Sequence, residues 1–359
     1  MTRSGDRIDS PIANSFDTPL DAPIAAEADR RTLIDRFGRV HRSLRLSVTD
    51  RCNIRCFYCM PDEAIRFRRR AELLTDDEFA RFVSVAARWG IERVRITGGE
   101  PLLRERLDRL VALLRAIPGI RELALTTNGM LLADQARGLR DAGLDRINIS
   151  LDTLDPETFR EIARRDGLER TLAGIDAALD AGFPKIRLNA VAIAGLIERD
   201  AVPLVEFARA RGLEMRFIEF MPLDGDRNWT ADRVVPGERL RQRIEAALGP
   251  LEPIDRSDPA QPAVDWRFAD GSGVVGFIEP VSRPFCGACD RLRLTAEGQV
   301  RNCLFSTVEW DARALLRGGA SDQALGELLR DCTAAKRAGH GIDSPAFERP
   351  ERAMYQIGG

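Results

Sequence analysis

The chain is poor in lysine and histidine, and it contains no long apolar run. All but two of its 54 basic residues are arginines, and it has two histidines. Because arginine is this common, an arginine is a candidate ligand only where its position supports that role. The absence of about 18 consecutive apolar residues argues against a membrane-spanning helix. The formal net charge of −2 argues against a general polyanion binder, such as a nucleic-acid-binding protein, but leaves room for a local anion pocket.

The seven cysteines do not suggest a disulfide scaffold, because such scaffolds are usually short and rich in cysteine. Six of them form two triads, and Cys332 stands apart. Residues 1–30 carry several acidic side chains and no continuous apolar stretch, so they do not resemble a secretory signal peptide. We therefore predict a protein of the reducing cytoplasm.

A strand–helix pattern repeats six times from Ser43 onward. Several predicted strands are apolar nearly throughout, which is typical of parallel strands covered by helices. This alternation indicates an α/β fold with a parallel sheet, and six units are too few for a complete eight-fold barrel. We therefore predict a partial, six-unit TIM-type barrel. Its strands are expected at residues 43–49, 93–97, 122–127, 145–151, 185–193 and 214–221.

The pattern changes after Pro250. Residues 250–262 contain four prolines and are expected to form a loop. Two antiparallel hairpins and two helical stretches follow, the hairpins pairing 264–270 with 274–279 and 291–295 with 299–305. We therefore expect a flexible extension, a partial barrel, and a C-terminal, mainly antiparallel β plus helix region that closes the barrel. Their predicted bounds are 1–38, 39–250 and 251–359.

The first cysteine triad, Cys52, Cys56 and Cys59, lies in the loop after the first predicted strand. Thiolates are the usual ligands of a [4Fe–4S] cluster. Three of them in a short loop can hold one corner of the cube and leave the fourth iron open. An open iron can chelate the amino and carboxylate groups of S-adenosylmethionine. The alternative is structural zinc, which needs four ligands, but His41 is eleven residues upstream of Cys52.

Polar residues recur where successive predicted strands end. After the second strand, Gly98 and Gly99 would let the backbone approach a ligand closely. Glu100, or the carbonyls beside it, could accept hydrogen bonds from an ammonium group. Each of these features alone is equally explained by a turn or a helix cap, and only their common position favours a site. The other strand-end residues are 126–129, 150–152, Asn189 and 219–222.

The second triad, Cys286, Cys289 and Cys303, could hold another open-iron cluster that binds the substrate. Zinc is a stronger alternative here, because His340 or Cys332 could supply a fourth ligand. Arg291 and Arg293 alternate along a predicted strand and would lie on one face of it. Two guanidinium groups beside a cluster suit a phosphate-bearing substrate. The other interpretation is an exposed strand in an arginine-rich protein.

Taken together, these motifs resemble the GTP 3′,8-cyclase family of molybdenum cofactor biosynthesis, within the radical S-adenosylmethionine superfamily. The resemblance runs from about residue 38 to residue 359 and includes the terminal pair Gly358-Gly359. It is carried by RLSVTDRCNIRCFYCMP (45–61), RITGGEPLLR (95–104), TTNG (126–129), NISLD (148–152), EFMP (219–222), PFCGACDRLRLT (284–295) and CLF (303–305).

The resemblance implies a lyase with two [4Fe–4S] clusters and S-adenosylmethionine as cofactors. Such enzymes cleave S-adenosylmethionine to methionine and a 5′-deoxyadenosyl radical, which takes hydrogen from C3′ of GTP. The C3′ radical then attacks C8 of guanine. The products are (8S)-3′,8-cyclo-7,8-dihydroguanosine 5′-triphosphate and 5′-deoxyadenosine.

The resemblance also assigns site residues. The first triad binds the catalytic cluster, and the second triad binds the cluster that holds the purine. Arg187 stands where the family often has a lysine, which keeps the charge but changes its geometry. The expected S-adenosylmethionine contacts are Tyr58, Gly99, Ser150 and Met221. The expected GTP contacts are Arg45, Arg95, Thr126, Arg187, Arg291, Leu292 and Arg293.

The resemblance further implies that the C-terminal tail, with Gly358 and Gly359, enters the active site, although two terminal glycines could equally be a frayed end. The implied partners are GTP, a reducing electron donor and the downstream cyclic pyranopterin monophosphate synthase, with no nucleic acid and no membrane. Both a monomer and a homodimer stay open. A peptide-modifying radical enzyme and a zinc-dependent binding module are the alternatives. The former usually carries more C-terminal cysteines than the four found here.

Overall fold

The protein is represented by a computed structural model, which describes residues 31–61, 65–345 and 347–358. In these residues twelve strands form one mixed sheet. The strands are β1 (Ser43–Ser47), β2 (Arg93–Thr97), β3 (Glu122–Thr127), β4 (Arg146–Ser150), β5 (Ile186–Ala192), β6 (Glu214–Glu219), β7 (Leu251–Pro253), β8 (Ala263–Phe268), β9 (Val274–Ile278), β10 (Arg291–Leu294), β11 (Gln299–Arg301) and β12 (Trp310–Asp311).

Ten α-helices accompany the sheet in the described ranges. A capping box begins the first helix: Glu78 N donates to Thr75 Oγ1 at 3.2 Å, and Thr75 N donates to Glu78 Oε2 at 2.8 Å. The helices are α1 (Asp76–Arg88), α2 (Leu107–Arg115), α3 (Ala136–Asp141), α4 (Pro156–Ala163), α5 (Leu168–Asp180), α6 (Ile197–Ala210), α7 (Gly237–Leu248), α8 (Ala312–Arg317), α9 (Asp322–Ala334) and α10 (Met354–Ile357).

The six predicted barrel strands, β1 to β6, are parallel and lie side by side in chain order. The C-terminal region adds one further parallel strand at each edge, β10 beside β1 and β9 beside β6. Both predicted hairpins are antiparallel, β8 with β9 and β10 with β11. The expected α/β partial barrel, with a C-terminal region closing it, is therefore confirmed. The short strand β7 lies within residues 250–262, which were expected to be loop only.

The two faces of the barrel strands follow the period of two that a strand imposes. Leu44, Leu46, Val94 and Ile96 are buried and belong to the core under the helices. The residues alternating with them are polar or charged and point into the barrel, as Arg45 does between Leu44 and Leu46. The face of the sheet that packs under the helices is therefore apolar, and the face that lines the barrel interior is polar or charged.

Residues 31–38 were expected to belong to a flexible extension, but in the structure they pack against the barrel. Residues 1–30 lie outside the described residues. Leu33 is buried in the core, and Ile34 forms a β-bridge with Val40. Asp35 is buried and accepts a 2.6 Å hydrogen bond from Arg39 Nε. The segment packs against the barrel because one apolar side chain and one buried ion pair anchor it. In the described residues, no helix is long and apolar enough to cross a membrane.

Candidate active site

A cavity of about 560 Å³ opens at the C-terminal ends of the barrel strands. Both cysteine triads line it, and so do all the predicted S-adenosylmethionine and GTP contacts except one. The exception is Leu292, whose side chain lies in the hydrophobic core, so only its backbone can reach a ligand. Alternation along β10 explains this, because Arg291 and Arg293 face the cavity and the residue between them faces away.

The first triad lies in the loop between β1 and α1, where burial raises the pKa of all three thiols, that of Cys52 to about 11. Arg55 braces this loop, with Nη1 donating to the carbonyls of Cys52 at 2.6 Å and Ile54 at 2.8 Å. Thiolates are the usual ligands of an iron–sulfur cluster, so cluster binding at this triad would release the protons of these thiols.

The glycine pair after β2 allows the cysteine loop to pass directly over it. A Cβ atom at Gly99 would overlap the backbone of Arg51, and one at Gly98 would overlap the carbonyl of Thr49. The amide of Gly99 donates to Thr49 O at 2.8 Å, which ties the two segments together. Glycine is therefore required here by close backbone approach.

We predict that Gly99→Ala displaces the first cysteine loop, because the new methyl group needs space that the Arg51 backbone occupies. Iron bound at the first triad and affinity for S-adenosylmethionine should both fall at least tenfold, measured by iron analysis and calorimetry. Gly138→Ala in α3 is the matched control, since nothing lies within 4 Å of its added carbon. Equal iron content in the two variants would contradict the prediction.

Glu100 is buried and already engaged by its own chain. Its carboxylate accepts hydrogen bonds from Leu102 N at 2.9 Å, Thr127 Oγ1 at 2.7 Å and Asn128 N at 2.7 Å. Burial raises the pKa of Glu100 to about 7, although these three donors act in the opposite direction. The carboxylate therefore joins the ends of β2 and β3, and only part of its accepting capacity remains for an ammonium group.

Tyr58 is held at the cavity wall by a carboxylate from the end of β4. Its hydroxyl donates to Asp152 Oδ2 at 2.6 Å, and Val191 N donates to Asp152 Oδ1 at 2.8 Å. Burial raises the pKa of Asp152 to about 6. Asp152 lines the same cavity but was not among the predicted contacts. Its position after a predicted strand was the available signal.

Arg293, Arg45 and Arg95 are cross-strand neighbours on β10, β1 and β2. Neither Arg45 nor Arg95 forms an ion pair or a side-chain hydrogen bond within the described part of the chain. Burial and the neighbouring arginines lower the pKa of both groups well below the usual value. Unpaired, partly desolvated guanidinium groups that face a cavity form a site for an anion.

Most other charged groups in the barrel interior are paired. Arg187 donates to Glu214 Oε2 at 2.6 Å, so its predicted GTP contact would share an existing ion pair. Four further basic residues line the cavity and were missed by the sequence reasoning, although strand alternation could have indicated them. Arg93 pairs with Asp258 and Asp290, Arg146 with Glu122, Lys185 with Glu214, and Arg216 with Asp265.

The second triad lines the same cavity, from β10 and the loops around it. Arg291 donates from Nε and Nη2 to Cys289 Sγ, each at 3.4 Å. Burial alone would raise the pKa of Cys289, but the charges of Arg291 and Lys336 lower it to about 6. This thiol is therefore poised as a thiolate at neutral pH, which is the form that binds metal.

We predict that Cys289 is the first cysteine to react with iodoacetamide in iron-free protein at pH 7. Its rate should rise with pH around a midpoint near 6, since the thiolate forms above the lowered pKa. Cys52, which is also half-buried but has a pKa near 11, serves as the internal control. Peptide mass spectrometry over pH 5–9 gives both rates, and faster alkylation of Cys52 would contradict the prediction.

Neither proposed fourth zinc ligand is available to the second triad. His340 lines the cavity, but Nε2 contacts Pro280 O at 2.8 Å and Nδ1 accepts from Ile342 N at 3.1 Å. Cys332 is fully buried in the hydrophobic core under α9. In residues 31–61, 65–345 and 347–358, no three His, Cys, Asp or Glu side chains gather closely enough for a single metal ion. Zinc would bring its thiolates within about 4 Å of one another, whereas a cube separates them further.

The described part of the C-terminal tail packs against residues of the cavity wall, and Met354 lines the cavity. Tyr355 and Ile357 in α10 are buried, and Arg293 Nη1 donates to the carbonyl of Gly358. Gly358 has φ +74° and packs against Ser47 and Thr97 at the ends of β1 and β2, where a side chain would clash. A glycine is therefore needed at position 358. Gly359 lies outside the described residues.

The chain matches the Radical SAM superfamily over residues 46–208 and Molybdenum Cofactor Synthesis C over residues 213–342. Fold and cysteine triads thus define an iron–sulfur enzyme that uses S-adenosylmethionine. GTP 3′,8-cyclase from Rhodopirellula baltica is 49% identical over 356 residues, which are 98% of this chain and 97% of that protein. The corresponding protein of Corynebacterium glutamicum (strain ATCC 13032) is 43% identical, over 99% and 96%. The chain belongs to the GTP 3′,8-cyclase family.

Among solved structures, Streptococcus suis SuiB resembles the chain with a TM-score of 0.60 at 15% identity. The similarity covers 88% of this chain and 77% of SuiB. At this identity the similarity concerns the fold alone, and it agrees with the partial barrel.

Proposed function

We propose that the protein converts GTP to (8S)-3′,8-cyclo-7,8-dihydroguanosine 5′-triphosphate, the first step of molybdenum cofactor biosynthesis. One observation carries the proposal. Both cysteine triads line one cavity, together with Arg45 and Arg95, which have no ion-pair partner in the described residues. A radical generator, a second cluster and an anion site within one enclosure are what this cyclisation requires. The curated relatives that match the whole chain are named for the same reaction.

In this proposal, the part of the cavity next to the first triad is the S-adenosylmethionine site. Cys52, Cys56 and Cys59 would hold a [4Fe–4S] cluster, which would supply an electron for the cleavage of S-adenosylmethionine when it is reduced. Tyr58, Gly99, Ser150 and Met221 line this side of the cavity and would contact the cofactor. Asp152 keeps the Tyr58 ring in place through its 2.6 Å hydrogen bond. Enclosure by the barrel excludes water from the radical.

The other side of the cavity is the GTP site. Arg45 and Arg95 would bind the triphosphate, because each faces the cavity and has no ion-pair partner in the part of the chain that the structure describes. Thr126, Arg187, Arg291 and Arg293 add further contacts, and Leu292 would contribute through its backbone. The cluster on Cys286, Cys289 and Cys303 would hold the purine. Arg293 also contacts the tail at Gly358, which links the tail position to substrate binding.

The reaction needs two partners beyond GTP. A reducing donor delivers two electrons per turnover: one for the cleavage of S-adenosylmethionine and one, together with a proton, for the nucleotide radical left after C8 is attacked. The cyclised nucleotide passes to a cyclic pyranopterin monophosphate synthase, as the family resemblance implies. We place both steps in the cytoplasm, where cysteines stay reduced.

An anaerobic assay with GTP, S-adenosylmethionine and dithionite tests the proposal. GTP deuterated at C3′ should transfer deuterium into 5′-deoxyadenosine, with one cyclised nucleotide formed per 5′-deoxyadenosine. Unlabelled 5′-deoxyadenosine without consumption of GTP would contradict it. Protein that contains zinc and no iron after anaerobic purification would contradict it as well.

A further inference from the structure

Lys336 is a buried lysine just after α9, with 3% of its surface exposed. Its Nζ atom donates to the carbonyl of Arg291 at 2.7 Å. No carboxylate in the described residues forms an ion pair with it; burial lowers the pKa of Lys336, whereas the nearby cysteines Cys289 and Cys303 act in the opposite direction. Lys336 therefore places a positive charge directly behind the second triad.

The chain offers a direct comparison, because Lys185 is its other lysine. Lys185 is half exposed and pairs with Glu214 at 2.9 Å, which is the usual arrangement for a lysine. A buried ammonium group is costly unless an anion compensates it. Since no carboxylate among the described residues pairs with Lys336, a negatively charged group bound by the second triad would compensate its charge.

Arg39 connects the second triad to the segment that carries Lys336. Its guanidinium donates to the carbonyls of Cys286 at 2.6 Å, Arg337 at 2.7 Å and Ala338 at 3.0 Å. Asp35 holds this guanidinium through a 2.6 Å contact to Nε. The first cysteine of the triad is thus tied to the two residues that follow Lys336.

A neutral histidine completes this buried group. His41 is fully buried, and its Nε2 atom lies 3.1 Å from Asp35 Oδ2. Burial and the charge of Lys336 lower the pKa of His41 to about 4, so it adds no charge at neutral pH. Asp35 offsets Arg39, and the positive charge of Lys336 remains uncompensated.

We propose that Lys336 is a positioning residue that sets the charge balance of the second iron–sulfur cluster, and that Arg39 holds Lys336 and Cys286 in place. The proposal rests on the assignment of Cys286, Cys289 and Cys303 as cluster ligands. A cluster gains one negative charge on reduction, so a fixed cation beside it favours the reduced form. Lys336 therefore raises the reduction potential of this cluster and its occupancy.

The test uses the full chain with Cys52, Cys56 and Cys59 replaced by alanine, so that only the second site can bind a cluster. After anaerobic reconstitution, iron analysis gives the occupancy and a redox titration followed by electron paramagnetic resonance gives the midpoint potential. Lys336→Met should shift the potential to a more negative value, whereas Lys336→Arg should restore most of it. Arg121→Met, at an exposed position that does not line the cavity, is the control and should leave the potential unchanged.

Arg39 is tested in the same background. Arg39→Lys keeps the charge but cannot make the four contacts of the guanidinium fork, so iron occupancy should fall at least twofold. Arg36→Lys is the matched control, because Arg36 is exposed and contacts the Phe37 ring. Equal occupancy in both variants would overturn the role of Arg39.

Each possible result for the Lys336 variants leads to a different conclusion. An unchanged potential at full occupancy in Lys336→Met would overturn the proposal. Loss of iron in Lys336→Met but not in Lys336→Arg would support it, because arginine keeps the positive charge that methionine lacks. Loss of iron in both, with unchanged circular dichroism, would indicate a packing role and overturn it. If the parent variant itself bound no cluster, the assignment of the second triad would fail, and this proposal with it.

Discussion

Cys52→Ala is expected to abolish reductive cleavage of S-adenosylmethionine, whereas Cys303→Ala is expected to retain cleavage and lose the cyclised nucleotide. The two triads line the same cavity but have different surroundings. The first lies beside Tyr58 and the glycine pair after β2, and the second lies beside Arg291 and Lys336. The measurement is the yield of 5′-deoxyadenosine and of cyclised nucleotide under anaerobic conditions with dithionite.

Cys52→Ala should reduce 5′-deoxyadenosine to the level seen without enzyme. Cys303→Ala should still form it but leave GTP unconverted, since the purine would lack its cluster. Cys332→Ala is the matched control, because Cys332 lies in the hydrophobic core and does not face the cavity. It should retain both products. Equal loss of cleavage in Cys52→Ala and Cys303→Ala would refute this division of labour.

Arg45→Met and Arg95→Met are each expected to weaken GTP binding by about 10- to 100-fold. A hydrogen bond to a charged group contributes about 1.5–3 kcal/mol, which corresponds to that change in Kd. Neither substitution leaves a carboxylate unpaired in the described residues, so the loss reports on the ligand. Calorimetry with GTP on reconstituted protein measures the change.

Without GTP, Arg45→Met and Arg95→Met should each have a higher free energy of unfolding than the unsubstituted protein. The pKa of each guanidinium is lowered by burial and by neighbouring arginines, which means that the folded protein disfavours the charged form. Removing that charge should raise the free energy of unfolding at pH 7, where the unfolded arginine is fully charged. Arg121→Met, at an exposed position before β3, is the control and should change neither quantity. Weaker GTP binding accompanied by lower stability would indicate a structural role instead.

The zinc interpretations illustrate what could not be settled from spacing. His340 and Cys332 follow the second triad in the chain and were reasonable ligands. The fold instead directs both ring nitrogens of His340 to backbone groups and places Cys332 in the core. Which atoms of a side chain remain free depends on neighbours that are distant in sequence.

Arg187 and Leu292 show the same limit for the GTP site. Arg187 faces the cavity as expected, but its cross-strand neighbour Glu214 pairs with it. Leu292 follows its strand's alternation and points into the core. The family resemblance supplied positions along the chain, whereas sheet register decided which side chains are free to bind.

The sequence by itself determined the six strand–helix units, the two cysteine triads and the family, because these depend on local periodicity and on short motifs. Tertiary structure alone decided that β9 and β10 extend opposite edges of the barrel sheet, since strand partners are chosen by long-range pairing. It also decided that residues 31–41 support the second triad through Arg39. The family resemblance already named Arg45 and Arg95 as GTP contacts, but only the tertiary structure decided that neither guanidinium has a partner in the described residues, because an unpaired charge is a property of the surroundings. The same reason explains why Lys336 stood out only after folding placed it beside Cys289 and Cys303.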